Sequence, residues 1–92
     1  MPELFVKDIF HEYKDEIEDD FKKIKQISGG MGWLESSYFV GTLSRVARKI
    51  YMKYGQRIVA YENAKYAEDI IYQQLLTCTS ELQKQYFGYS VR

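Results

Sequence analysis

Three glycines, Gly29, Gly30 and Gly32, fall within four positions in the stretch QISGGMGWLESS, residues 26–37. Clustered glycines let a backbone close around a phosphate, so the first chemistry to weigh is nucleotide binding. A dinucleotide fingerprint needs G-x-G-x-x-G after a strand and at the start of a helix, and a phosphate-binding loop of the other common type ends in Gly-Lys-Ser/Thr. Here Gly30-Met31-Gly32 runs into Trp33-Leu34-Glu35, an amphipathic segment precedes it, and no Gly-Lys-Ser/Thr follows. The stretch therefore reads as a hinge between two helices. Met31 and Trp33 occupy that hinge, and a large ring there either plugs the end of a helical bundle or touches a partner; the plug is the expectation, with Trp33 kept as a lesser contact candidate.

His11, the only histidine, has Asp8 three residues before it and Asp15 four after, so all three share one helix face. A zinc-binding H-E-x-x-H helix would need histidine at position 15, which is aspartate. On a convex, wet face nothing shifts a pKa or excludes water, so no catalytic or metal role is assigned. The single cysteine, Cys78, lies between Leu75 and Leu82 on an apolar stripe, with no positive charge within a helical turn. It reads as a small apolar group rather than a nucleophile. No cofactor, metal or small-molecule substrate is expected, and the chain is expected not to be an enzyme.

The richest cluster of chemistry is basic. In SRVARKIYMKYGQR, Arg45, Arg48, Lys49 and Lys53 line one side of a helical pattern and Arg57 follows just beyond it. Such a face can neutralise phosphates, with Tyr38 or Tyr54 stacking on bases, or it can pair with carboxylates elsewhere in the protein. The charge distribution sharpens the choice. Residues 1–35 carry nine acids and five bases, residues 36–66 one acid and six bases, and residues 67–92 three acids and two bases, so the formal charge of zero is a sum of unlike parts. Dedicated nucleic-acid binders are usually strongly basic as a whole. Nucleic-acid binding through Arg45, Arg48, Lys49, Lys53 and Arg57 is thus the second candidate function.

Three amphipathic segments must position these groups. Phe5, Val6, Ile9, Phe10, Tyr13, Ile17, Phe21, Ile24 and Ile27 fall in a sector about 160° wide on a helix, opposite a charged face whose acids lead and whose lysines follow. Pro2 suits the first turn and Ser28-Gly29-Gly30 the C-terminus, giving a helix over about 3–27. Ser36 or Ser37 can cap a second helix that carries Phe39, Val40, Leu43, Val46, Ala47, Ile50, Tyr51 and Tyr54 and stops near Gly55, over about 36–54. Ala60, Ala64, Ala67, Ile71, Leu75, Cys78, Leu82 and Tyr86 continue on one stripe with a mean period of about 3.7 residues, which predicts a single helix over about 57–87. The competing reading of that stretch makes RIVAYE a short strand and Asn63 the cap of a helix that begins later.

At 92 residues with one cysteine and no disulfide, the chain is expected to be a single helical domain, 1–92. No apolar run approaches the length of a bilayer span and the first ten residues lack a signal-peptide layout, so no membrane association and a cytoplasmic location are expected. The fold expected is all-α, an elongated three-helix bundle that associates into a helical dimer. The third helix carries a second apolar line, Val59, Tyr66 and Ile70, with Leu76 beside it, more than two companions can cover. Protein–protein association, with itself or as an adaptor for another protein, is therefore the leading functional expectation, with Val59, Tyr66, Ile70, Leu76 and Trp33 as its interface.

Overall fold

The apolar period of the first segment folds as helix, but in two pieces. In the computed structural model, which describes residues 4–29 and 31–90, α1 spans Val6–Ile9, a 3-10 turn covers Phe10–Glu12, and α2 runs over Lys14–Ser28. The expectations for Pro2 and Gly30 lie outside the described residues. The single helix over 3–27 is corrected by the break at Ile9 and Tyr13, whose ψ angles of 5° and −10° depart from helix. Two different neighbours explain it: α1 packs on the helix α4 that begins at Ala67, whereas α2 packs on α3 and α5. The Val6 amide donates to Gln74 Oε1 at 2.8 Å and the Leu4 amide to the Arg57 carbonyl at 3.1 Å, which fixes the N-terminal turn across the chain. Gly29 ends α2 at φ 58°, in the left-handed conformation that a glycine takes without a Cβ penalty.

Helix α3 spans Gly32–Ile58, longer at both ends than the expected 36–54. It begins with no side-chain cap, so Ser36 and Ser37 are ordinary helical residues. It runs on through Gly55, over which the Tyr51 ring lies, so that a Cβ there would sit 2.5 Å from Tyr51 Cδ1. The chain reverses instead over residues 59–66. Val59 and Ala60 are extended and a 3-10 turn covers Tyr61–Tyr66.

Helix α4 then spans Ala67–Cys78 and α5 Ser80–Phe87. The uninterrupted helix over 57–87 is corrected at both places, and the strand alternative fails too, since the described residues contain no strand. A reversal before Ala67 is what allows α4 to lie along α3, the most extensive contact in the molecule. The second break is built from buried polar side chains: Thr79 Oγ1 donates to the Leu75 carbonyl at 2.8 Å, and Gln83 Nε2 donates to the Leu76 carbonyl at 3.0 Å and to Thr79 Oγ1 at 2.9 Å. Buried polar groups persist when satisfied in this way, and among the described residues no buried side-chain donor or acceptor lacks a partner.

The described fold is thus all-α, with five α-helices in place of the three expected, and extends 45 × 23 × 20 Å. Ile17, Phe21, Leu43, Val46, Ile50, Ile71 and Leu75 form the fully enclosed centre. Phe21 joins Phe39, Tyr86 and Phe87 at one end, with ring centroids 5.4, 6.5 and 5.1 Å from its own. No described helix is long and apolar enough to cross a membrane.

Candidate interaction surface

The residues expected to form an interface divide. Val59 and Leu76 are buried at 6% and 5% exposure, because the reversal at 59–60 folds them into the core. Tyr66 is half-exposed and Ile70 packs against the core from its edge. The surplus apolar line therefore does not exist as one surface: it presupposed the continuous helix that residues 59–66 interrupt. The plug expected of Trp33 is also corrected. Because α3 starts at Gly32, Trp33 lies on the outward line of that helix and is 68% exposed.

The apolar excess lies elsewhere, on the outer face of α3. Trp33, Val40 and Tyr51 fall on one edge of that face and Tyr38 and Met52 on the other, by the helical period. Met52 is 73% exposed and Tyr38, Val40 and Tyr51 between 37% and 47%. Ile27, at the end of α2, is 63% exposed and borders the same groove as Tyr38 and Gly41. Between the two edges lie the small residues Ser37, Gly41 and Ser44, all exposed, together with the exposed Arg48 and, beside Met52, Arg45.

Gly41 is the informative one. A glycine in a helix interior costs about 0.8–1 kcal/mol relative to alanine. At Gly55 that cost has a local reason in the Tyr51 ring, but a Cβ at Gly41 would meet nothing within 4 Å. Helix period and outward exposure were enough to find this face, had the start of α3 been placed at Gly32.

The basic cluster is built into the fold. Lys53 donates to Glu12 at 3.0 Å, Lys49 to Glu16 at 2.8 Å, Arg45 pairs with Asp20, and Arg48 donates to Glu68 at 3.0 Å. The Tyr54 hydroxyl adds a 2.6 Å bond to Glu12. Donation first from Tyr54 and then from Lys53 holds the Glu12 carboxyl below the usual carboxylate range, and the same contacts raise Lys53. Four cations thus stand against four carboxylates, three of them on the α2 side. Arg57 is exposed at the end of α3.

The remaining chemical candidates stay apart. His11 is exposed on the 3-10 turn, and the Asp8 carboxylate accepts from the Phe5 amide at 2.9 Å. Among the described residues no group of three or more His, Cys, Asp or Glu side chains is placed to hold a metal ion. Cys78 is partly buried; burial, then the nearby Asp8 charge, pushes its thiol pKa up, which disfavours the nucleophilic thiolate. No protein-family model matches the chain, and no curated protein or solved structure matches it.

Proposed function

We propose that this chain works through a surface rather than through catalysis, by association of the outer face of α3 with a helix of a second copy of itself. The observation that carries the reading is Gly41: an exposed glycine inside a 27-residue helix, with no neighbour to require it. Helix stability opposes a glycine there, whereas close approach of another helix favours one. Ser37 and Ser44 extend the small surface along the helix, Trp33, Val40, Tyr38 and Met52 flank it, and Arg45 and Arg48 stand on it with their charges met by Asp20 and Glu68. The shape suits a second copy. A face with a small centre and large flanks can meet its own image about a two-fold axis through the glycine.

Area sets the expected size of the interface. At roughly 150–250 Å² per large side chain, the exposed fractions of Trp33, Tyr38, Val40, Tyr51, Met52, Ile27 and Met31 amount to roughly 700 Å² per copy. A standard interface buries about 800 Å² per partner. An interface of that size supports a reversible dimer whose affinity is set by its packing rather than by its area. Nucleic-acid binding by Arg45, Arg48, Lys49 and Lys53 draws no support from a face whose cations are already matched by carboxylates.

Sedimentation velocity across a wide concentration range tests the proposal. The protein is expected to pass from monomer to dimer, and Trp33→Ser with Tyr38→Ser, both changes to exposed side chains, is expected to keep it monomeric. A native chain that stays monomeric throughout, or a double variant that associates like the native chain, overturns it.

A further inference from the structure

A second feature lies on the other side of α3, where its first turns meet the end of α5. Gly88, at φ 81°, turns the chain back so that Tyr89 returns over α3, its hydroxyl 3.4 Å from Ser36 Oγ, while Ser90 Oγ lies 2.9 Å from Ser80 Oγ. The turn closes a crevice of about 100 Å³. Four aromatic side chains from three parts of the chain line it: Phe39 of α3, Tyr72 of α4, and Phe87 and Tyr89 on either side of Gly88. Phe39 and Phe87 stand nearly perpendicular, at 82° with centroids 6.1 Å apart, so they make adjacent walls. Glu35 is the only charged residue of the lining, and among the described residues it takes part in no ion pair.

Each part has an ordinary explanation when taken alone. A carboxylate in the first turn of a helix suits the helix dipole, and aromatic rings fill the ends of bundles. Their combination around an open crevice is different. A cavity of about 150 Å³ accepts a benzene-sized group, so about 100 Å³ suits a compact group of a few heavy atoms and excludes a nucleotide. Ring faces carry negative potential and attract cations, and the single lining charge has the same sign. A primary ammonium is strongly hydrated and resists entering an apolar crevice, whereas an alkylated one carries its own methyl jacket. We propose that this crevice binds a quaternary ammonium group, with the four rings as its walls and Glu35 as its counter-charge.

The test is a titration of the whole chain followed by two-dimensional amide NMR, with choline as the probe and its neutral carbon isostere, 3,3-dimethylbutan-1-ol, in parallel. Saturable shifts are expected around Phe39, Tyr72 and Tyr89, with the isostere at least tenfold weaker. Glu35→Gln is expected to weaken choline about tenfold while leaving the helical circular dichroism unchanged, and Tyr89→Ala to do the same from the tail. A short peptide carrying trimethyl-lysine, compared with its unmethylated form, separates the two sources: tighter binding of the methylated peptide than of choline assigns the group to a protein side chain, and the reverse assigns it to a free small molecule. Equal affinity for choline and the isostere, indifference to Glu35→Gln, or no saturable shift overturns the proposal. Val40 borders both the crevice and the outer face of α3, but Glu35, Tyr72 and Tyr89, the residues changed or read in the test, lie off the Ser37–Gly41–Ser44 face, so failure here leaves the dimer untouched.

Discussion

Replacing Gly41 with alanine separates what α3 needs for folding from what it presents to a partner. The methyl group added at this position meets no atom within 4 Å, so the isolated chain keeps its packing and loses only the flexibility of glycine. In a helix interior that change is worth about 0.8–1 kcal/mol in favour of alanine. For a domain of this length, 1 kcal/mol moves the midpoint of thermal unfolding by roughly 4–8 °C. Measured by circular dichroism at low micromolar concentration, where the monomer dominates, Gly41→Ala is therefore expected to melt several degrees above the native chain. In the dimer the same methyl is presented twice at the point of closest approach. Dissociation is expected to rise at least tenfold, about 1.4 kcal/mol, in sedimentation experiments at high concentration. The two readouts move in opposite directions, which no general effect on helix content produces. A higher midpoint with unchanged or tighter association refutes the close-approach argument, and an unchanged midpoint in the monomer refutes the account of the helix itself.

Gly55, in the same helix, is expected to behave in the opposite sense. Its Cβ would lie 2.5 and 2.9 Å from Tyr51 Cδ1 and Cε1, so Gly55→Ala displaces a packed ring and should lower the urea midpoint, whereas in a Tyr51→Ala background it should raise it; a double-mutant cycle without that change of sign rejects the clash. For Glu12, whose folded pKa is held down by Tyr54 and then Lys53, the stabilisation is fully present above the unfolded carboxylate's pKa and is lost as pH falls through the folded value. Urea midpoints of the native chain and Glu12→Gln, taken from about pH 7 to about pH 3, should converge towards acid; a constant difference would mean that Glu12 acts through packing alone.

What the sequence conveys well is which residues are buried, and what it conveys poorly is where helices start and stop. Val6, Ile9, Tyr13, Ile17, Phe21 and Ile24 follow one helical period and all lie in the core, although a 3-10 turn interrupts them. A 3-10 turn of three residues shifts the helical phase by only about 60°, less than the width of the apolar sector, so apolar spacing does not register it. Ile27 obeys the same period and is exposed, because it falls in the last turn of α2, beside the chain reversal. The start of α3 carries no capping side chain, and two serines downstream imitate one; the error moved Trp33 from a helix to a turn. The stripe of the C-terminal region is correct from Ala67 to Leu82, yet Ala60 and Ala64 on the same spacing are exposed. The break at Thr79 rests on a bonded pair of polar side chains, which a hydrophobic pattern has no means of recording. The aromatic crevice was out of reach for another reason: its walls come from three separate parts of the chain.

The uneven charge of the chain acquires a structural meaning in the pairing of α2 with α3. Glu12, Glu16 and Asp20 advance by one helical turn each, and their partners Lys53, Lys49 and Arg45 retreat by one turn each. The ladder therefore specifies which faces meet; it does not specify direction, since reversing either helix would still set Glu12, Glu16 and Asp20 against Arg45, Lys49 and Lys53. It does not specify the height of one helix on the other. A slip of one turn would bring Glu16 opposite Arg45 or Lys53, still a cation, and the structure already has Arg45 Nε within 4.0 Å of Glu16. Exposed pairs of this kind contribute little to stability individually. What forbids the slip is the aromatic end of the core, where Phe21 has its ring 5.4 Å from Phe39 and 5.1 Å from Phe87, contacts that a one-turn displacement of about 5.4 Å would remove. Electrostatics thus selects the face of packing, and the rings, clustered at one end, select direction and register; Arg45 and Arg48, paired with Asp20 and Glu68, remain exposed on the outer face of α3, which presents charge as well as shape.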